Sequence, residues 1–346
     1  MNLPLPASVN PLPDVAGQPE LVLIYAGGTF GCIGTPLSPM PATEFLPKLD
    51  HLIQQAFSIH CHSLPAPHIH DSSQLQAGDW IALVAQIIQL HQQGFRRFLL
   101  LHGTDTLAYS SAFLAEVLAH WPLHLVIIGS QYPLLDVHGV ALREGSDALD
   151  NLSLAIQLLQ QNKQGCEVAF AGQHWPAHNV QKIHSSALQA FAGTADNSVT
   201  QPDSTDTPAP EKLLHSLNYL KQLNIAIWYT LPMERQQQAQ QLQQLISTPQ
   251  LDAIILLGFG SGNLPHSKDI EQLLQQASAR SILLVISTQV PFGGVNSHYA
   301  AGHWLEELNV LSAGQLTVAA IYARLAWICC QTSDFQQRRR YWLQSR

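Results

Sequence analysis

Short apolar runs alternate along this chain with longer stretches whose apolar residues recur every three or four positions. The runs at 21–25, 98–101, 125–128, 168–170, 225–229, 253–257 and 282–286 suit strands buried on both faces of a parallel sheet. The stretches at 80–91, 108–120, 147–161, 233–246, 268–277 and 316–329 carry helical spacing. Strand and helix in alternation predict βαβ units with right-handed crossovers. The expected class is therefore α/β: an N-terminal, mostly parallel, doubly wound sheet domain, then a smaller C-terminal parallel α/β domain.

One segment breaks the alternation. Residues 193–211 read GTADNSVTQPDSTDTPAPE, with no apolar face, and are expected to form a linker or a long surface loop. The predicted organisation is a flexible proline-rich lead at 1–19, a first domain at 20–192, a linker at 193–212, a second domain at 213–330 and a basic tail at 331–346. Apolar residues make up 46% of the chain and charged ones 12%, which excludes disorder as a description of the whole. The net charge of −8 argues against a broad nucleic-acid surface, because Arg338, Arg339, Arg340 and Arg346 crowd the end and leave the body still more acidic. That basic end is expected to be a solvated helix terminus, where cations are favoured by the helix dipole. Five cysteines without a C-x-x-C pair fit reduced thiols and a cytoplasmic protein. No lysine or arginine precedes Lys48 and no run is long enough to cross a bilayer, so neither a secretory signal nor a membrane partner is expected.

Two of the predicted strands end in turns of unusual content. The first continues as Ala26-Gly27-Gly28-Thr29, the second as His102-Gly103-Thr104-Asp105-Thr106 before a helix. In open α/β sheets, ligands bind beyond the carboxyl ends of strands. Glycines let the backbone approach a ligand closely, and a threonine after paired glycines is presented at the strand tip. Thr104 and Asp105 open a helix, so their amides can face an oxyanion or a polar ligand. Gly-Gly-Thr by itself is a weak signal and reads better as a tight strand-to-helix turn with a capping threonine. The His-Gly-Thr-Asp-Thr turn is the more specific of the two.

Together the two turns resemble the signatures of the bacterial-type L-asparaginase family. The resemblance runs from about Leu21 to Cys329, and further matches follow in order. These are Asp71-Ser72-Ser73, Gly129-Ser130-Gln131-Tyr132-Pro133, Ser146-Asp147 with Asn151-Leu152, and Lys182 ahead of Leu188-Gln189-Ala190-Phe191. Gly260-Ser261-Gly262-Asn263-Leu264-Pro265, then Tyr299, Gly302 and Ser312-Ala313-Gly314 with Thr317, complete the series. The resemblance implies hydrolysis of the asparagine side-chain amide, with minor action on glutamine, and no metal or organic cofactor. Thr29 would attack the amide carbon and form an acyl-enzyme. Thr104, Asp105 and Lys182 would form a second unit that tunes threonine and water. Ser72 and Asp105 would hold the α-carboxylate and α-amino groups, with Ser73 close by and Gly28 and Gly103 lining the pocket. A homodimer or homotetramer is implied, because in the family a neighbour's second domain completes the site; Asn263 is the candidate there. The chemistry agrees: a threonine hydroxyl needs a network that removes its proton, and a lysine held by a threonine and an aspartate can belong to one.

The chain departs from the family pattern in its lid. The loop after the first turn normally presents a tyrosine, and 30–40 holds none, Leu37 or Ser38 taking roughly its place. Lids exclude water and help activate nucleophiles. A second reading is therefore an amino-acid-binding pseudoenzyme of the same fold. A third, an amidotransferase supplying ammonia for amidation on tRNA, would call for a tRNA-contacting region and a partner subunit. Neither G-x-G-x-x-G nor a P-loop is present, which counts against a nucleotide-binding protein. His60, His62, His68 and His70 cluster around Cys61, but their proline-broken stretch runs into the substrate loop, so no metal site is assigned.

Overall fold

The computed structural model describes residues 21–194, 207–295 and 300–344. The proline-rich lead at 1–19, most of the 193–212 linker and Tyr299 lie outside the described residues. The chain divides into two compact units, the first reaching Leu214 and the second resuming at His215.

The first unit contains strands β1 (Leu21–Tyr25), β2 (Cys32–Ile33), β3 (Ser38–Pro39), β4 (Cys61–Pro65), β5 (Arg97–Leu101), β6 (His124–Ile128), β7 (Gly165–Phe170), β8 (Gln173–Pro176), β9 (Val180–Lys182) and β10 (Phe191–Gly193). Its helices are α1 (Ala42–Phe57), α2 (Ala77–Gln92), α3 (Leu107–Val117) and α4 (Ala148–Leu159). Six strands form one sheet in the order β4-β1-β5-β6-β7-β8, all parallel but for the β7–β8 pair. Alternate strand residues face opposite sides. Leu21, Leu23, Leu99 and Val126 join α1 and α4 in one apolar cluster, while Val22, Ile24, Phe98 and Leu100 are equally buried on the other side. Burial on both faces explains why these strands read as unbroken apolar runs.

Register decides where chemistry can be placed. Tyr25 pairs with Leu101 and Leu101 with Ile128, so β1, β5 and β6 end level with one another. Tyr25 also pairs with Pro65, which brings the segment after β4 to the same edge.

Helix α1 and strand β4 are the two longest elements of the first unit that lie where the hydrophobic pattern predicts none. Helix α1 carries Pro47 in its second turn, and that proline hides an otherwise amphipathic stretch that buries Phe45, Leu46, Leu49 and Ile53. Strand β4, Cys-His-Ser-Leu-Pro, is a half-exposed edge strand and lacks the apolar run of its neighbours. Helix α3 also stops at Val117, short of the expected 120, ahead of Trp121-Pro122.

Helix α5 (Pro210–Leu217) leads into the second unit. There β11 (Ile225–Tyr229), β12 (Ala253–Gly258), β13 (Leu283–Thr288) and β14 (Leu311–Ser312) form a parallel sheet in chain order. Helices α6 (Arg235–Ile246), α7 (Lys268–Ala279), α8 (Ala300–Glu307), α9 (Val318–Gln331) and α10 (Phe335–Gln344) complete it. The expected solvated basic tail is corrected here. Residues 335–344 form α10, Trp342 is buried, and the buried Arg338 donates to Asp252 Oδ1 at 2.9 Å and to the Thr332 carbonyl at 2.7 Å. The helix needs its arginine inside because Asp252 is itself buried and must be paired. Arg340 alone of the described tail arginines keeps the solvated character predicted for all of them; Arg339 bonds Asn309.

Candidate active site

After β1 the chain turns through Gly27 and Gly28, at φ 95° and 85°, into a single 3-10 turn, Thr29–Gly31. Glycine is required at Gly28 for two reasons. Its φ lies in the left-handed region, and a β-carbon there would stand 2.6 Å from the Gly103 nitrogen. The turns that follow β1 and β5 thus meet backbone to backbone, and Thr29 leaves that contact half-exposed. On its other side Gly103 receives Ser72: a β-carbon on Gly103 would sit 2.5 Å from Ser72 Oγ.

The β5 turn is wired to a distant hairpin. Lys182, the last residue of β9, donates from Nζ to Thr104 Oγ1 at 2.9 Å and to Asp105 Oδ1 at 2.8 Å. Thr104 is buried, the Lys182 side chain is 19% exposed and that of Asp105 58%, so the group reaches from the interior to an open face. Two of the three ammonium protons are thereby committed, and the Thr104 hydroxyl, which accepts one of them, still has a proton of its own to donate. His102 is buried with Nδ1 2.8 Å from the Gly103 carbonyl. Burial pushes its ring below the ordinary histidine range, so it holds the turn as a neutral group.

Ser72 opens a 3-10 turn, Ser72–Gln74, capped by Asp71, whose carboxylate accepts from the Ser73 amide at 2.9 Å. Ser72 is buried and Ser73 exposed. The first unit thus gathers Gly28, Gly103, Thr104, Asp105, Lys182 and Ser72 with the turn that bears Thr29. Asn263 belongs to the second unit, in the turn after β12, where its backbone exchanges hydrogen bonds with Phe259 at 2.8 and 2.9 Å.

A third wall comes from residues that the sequence pattern matches without giving them a role. Gly129, just past β6, lies so close to Thr104 that a β-carbon would meet its Cγ2 at 3.1 Å and the His102 carbonyl at 2.7 Å. Asn151 Nδ2 donates to the Gly129 carbonyl at 3.0 Å, and the buried Asp147 carboxylate accepts from the Gln131 amide at 3.0 Å. The Gln131 side chain then donates to the Ala187 carbonyl at 2.8 Å, in the loop between β9 and β10, and so braces the hairpin that carries Lys182. The four-residue spacing of Asp147 and Asn151 is the sequence signal that could have marked this support.

The lid segment forms the β2–β3 hairpin, with Leu37 and Ser38 exposed near its tip and the Gly34 amide bonded to the Val137 carbonyl at 3.1 Å. Cys32, at the start of that hairpin, donates to the Gly28 carbonyl at 3.4 Å. Burial, with Asp71 nearby, pushes its thiol up, so it stays protonated beside the threonine. The histidines that cluster in the sequence divide in the fold: His62 stacks on Phe95, whereas His68 and His70 stay together, their rings 6.4 Å apart and their nitrogens 4.0 and 3.2 Å from Asp79. Among the described residues no group of three or more His, Cys, Asp or Glu is placed to hold a metal.

The chain matches the "Asparaginase, N-terminal" family over residues 20–208 and the "Glutaminase/Asparaginase C-terminal domain" family over 224–342. It is 27% identical over 339 residues to L-asparaginase 1 of Escherichia coli (strain K12), covering 93% of this chain and 95% of that one. In fold it is similar to the thermostable L-asparaginase from Thermococcus kodakarensis, with a TM-score of 0.74 at 24% identity over 93% of this chain and 96% of the other. It is likewise similar in fold to L-asparaginase I from Vibrio cholerae, with a TM-score of 0.73 at 21% identity over 94% of this chain and 96% of the other.

Proposed function

The chain belongs to the asparaginase family, and on that premise we propose that it hydrolyses the side-chain amide of L-asparagine to L-aspartate and ammonia, with Thr29 as nucleophile. The observation that carries this reading is the Lys182–Thr104–Asp105 contact on a turn whose glycine touches the turn of Thr29.

Thr29 Oγ attacks the amide carbon and its proton passes to the departing nitrogen, so that ammonia leaves and an ester to Thr29 remains. Backbone amides of the opposed turns hold the oxyanion as it develops. Water, oriented by Thr104 and Lys182, then adds to the ester, its proton returns to Thr29, and aspartate departs. Asp105, the exposed end of the group, pairs with the substrate ammonium, and Ser72 holds the α-carboxylate. In this reading every proton transfer uses hydroxyl, ammonium and water, so the reaction needs no metal or organic cofactor. Asn263 of a neighbouring copy closes the site in a homodimer or homotetramer. No helix among the described residues is long and apolar enough to cross a membrane.

Ammonia release from asparagine by the purified protein, against Thr29→Ala and Thr104→Ala, tests the proposal; undiminished release in both variants removes the mechanism. The tyrosine-free lid favours one second reading, binding without turnover. Calorimetric binding of aspartate with no ammonia from asparagine or glutamine selects it.

A further inference from the structure

Thr106 closes the His-Gly-Thr-Asp-Thr turn and stands at the N-cap of α3. A threonine there ordinarily turns its hydroxyl back to accept from an amide of the first helical turn. Thr106 makes no such bond. Its Oγ1 points away from its own helix and donates instead to the Ser72 carbonyl at 2.8 Å, thirty-four residues back in the chain. A helix start that forgoes its cap for a contact with another loop marks that contact as the purpose of the residue.

The receiving loop explains what the contact does. The segment after β4 is fixed at its start by the Ala66 amide on the Tyr25 carbonyl at 2.8 Å, and at its end by Asp79, which caps α2 by accepting from the Gln76 amide at 2.7 Å. Between these anchors the chain must bring Ser72 against Gly103, whose missing side chain leaves room for Ser72 Oγ. The Ser72 carbonyl takes a bond from the Leu75 amide at 3.3 Å, which shapes the turn, and the bond from Thr106, which ties the turn to β5's tip. Thr104 and Asp105 occupy that same tip.

We infer that Thr106 is a positioning residue that acts through Ser72, setting the distance between the substrate-carboxylate loop and the Thr104–Asp105–Lys182 group. The inference rests on the proposed asparagine hydrolysis and on the role given there to Ser72. Its effect falls on substrate binding, since Thr106 bonds the loop that grips the substrate and donates to neither threonine of the chemistry.

Steady-state kinetics of Thr106→Val, Thr106→Ser and Ser72→Ala, with the Thr106→Val/Ser72→Ala double variant, form the test. Valine keeps the shape and loses no cap, so thermal stability should fall by no more than the worth of that one bond. The KM for asparagine should rise roughly five- to tenfold, the worth of one lost hydrogen bond, with kcat within about twofold of wild type. Serine should restore KM, and the double variant should be no worse than Ser72→Ala. Wild-type kinetics in Thr106→Val, a fall in kcat at constant KM, or additive losses in the double variant would each overturn the inference and leave the hydrolytic reading intact. A wild-type protein that neither releases ammonia nor binds L-aspartate in a calorimeter would overturn both.

Discussion

Asp105 and Glu167 are both carboxylates of the first unit held by a lysine, and their surroundings put them to opposite uses. Asp105 stands past the carboxyl end of β5 with its side chain 58% exposed, sharing Lys182 with a threonine. Glu167 lies within β7, its side chain 5% exposed, and is met by Lys163 Nζ at 2.5 Å, His124 Nε2 at 2.9 Å and His174 Nδ1 at 3.1 Å. His124 is the first residue of β6, so this cluster gathers toward the amino ends of the strands, away from their tips. Burial alone would push the Glu167 carboxyl up, but hydrogen bonds from His124, Lys163 and His174 overturn that and hold its pKa at about 2. A charge kept from water must be fully paired, whereas one at the surface can leave its partner available to a ligand. The comparison teaches that the same pair of residue types supports the fold at one end of the sheet and is open to chemistry at the other.

The largest effect that bears on this contrast is expected from Lys182→Met. Ammonia release should fall about a thousandfold, close to 4 kcal/mol in the barrier, while the melting temperature should move little, because the Asp105 end of the ion pair is open to solvent and its attraction is screened. Retained activity would break the functional half of the comparison. Next comes Arg338→Ala in the second unit, which leaves Asp252 buried without its cation and should cost about 3 kcal/mol or more in urea unfolding. A negligible cost would show that burial is the wrong criterion.

Glu167→Gln should lower stability at neutral pH by ~2–3 kcal/mol with ammonia release within a few-fold of wild type. The direction with pH follows from the depressed carboxyl. The folded protein gives up this proton more readily than the unfolded chain, so the stabilisation is complete above the ordinary value of 4.5 and is lost as pH falls through about 2. Melting curves of wild type should therefore decline across that window, and those of Glu167→Gln should decline less. The smallest effect belongs to Lys163→Met. That lysine is 44% exposed, so solvent screening limits its loss to below about 1 kcal/mol. A cost equal to that of Glu167→Gln would mean that Lys163, and not the two histidines, holds the carboxylate.

Much of the first unit was legible without coordinates. Strands such as Leu21–Tyr25, and the 125–128 run that follows His124, are buried on both faces and are apolar, so one-dimensional pattern is enough to find them. The Gly27-Gly28-Thr29 and His102–Thr106 turns stood out because glycine and small polar residues at the end of an apolar strand have few structural causes. Lys182 was different: only resemblance singled it out, since its spacing from Thr104 encodes nothing about a contact made between two separate sheets. Helix α1 was concealed by Pro47, and β4 by the half-exposed character of an edge strand. The arginines near the end of the chain read as solvent-facing because composition records charge and not its partner; Asp252 lies 86 residues before Arg338.

By itself, then, the order of residues decided which segments become buried strands, where glycine permits a close approach, and which family the chain joins. These are properties of local pattern and of backbone freedom, and both are written residue by residue. Which way a hydroxyl points was decided by tertiary structure. Thr106 turned toward Ser72, Gln131 braced the Lys182 hairpin, and one lysine met a threonine and an exposed aspartate while another met a buried glutamate. Hydrogen bonds of this kind depend on level strand ends and on distances of a few ångströms between residues far apart in the chain, and those exist only once the sheet has closed.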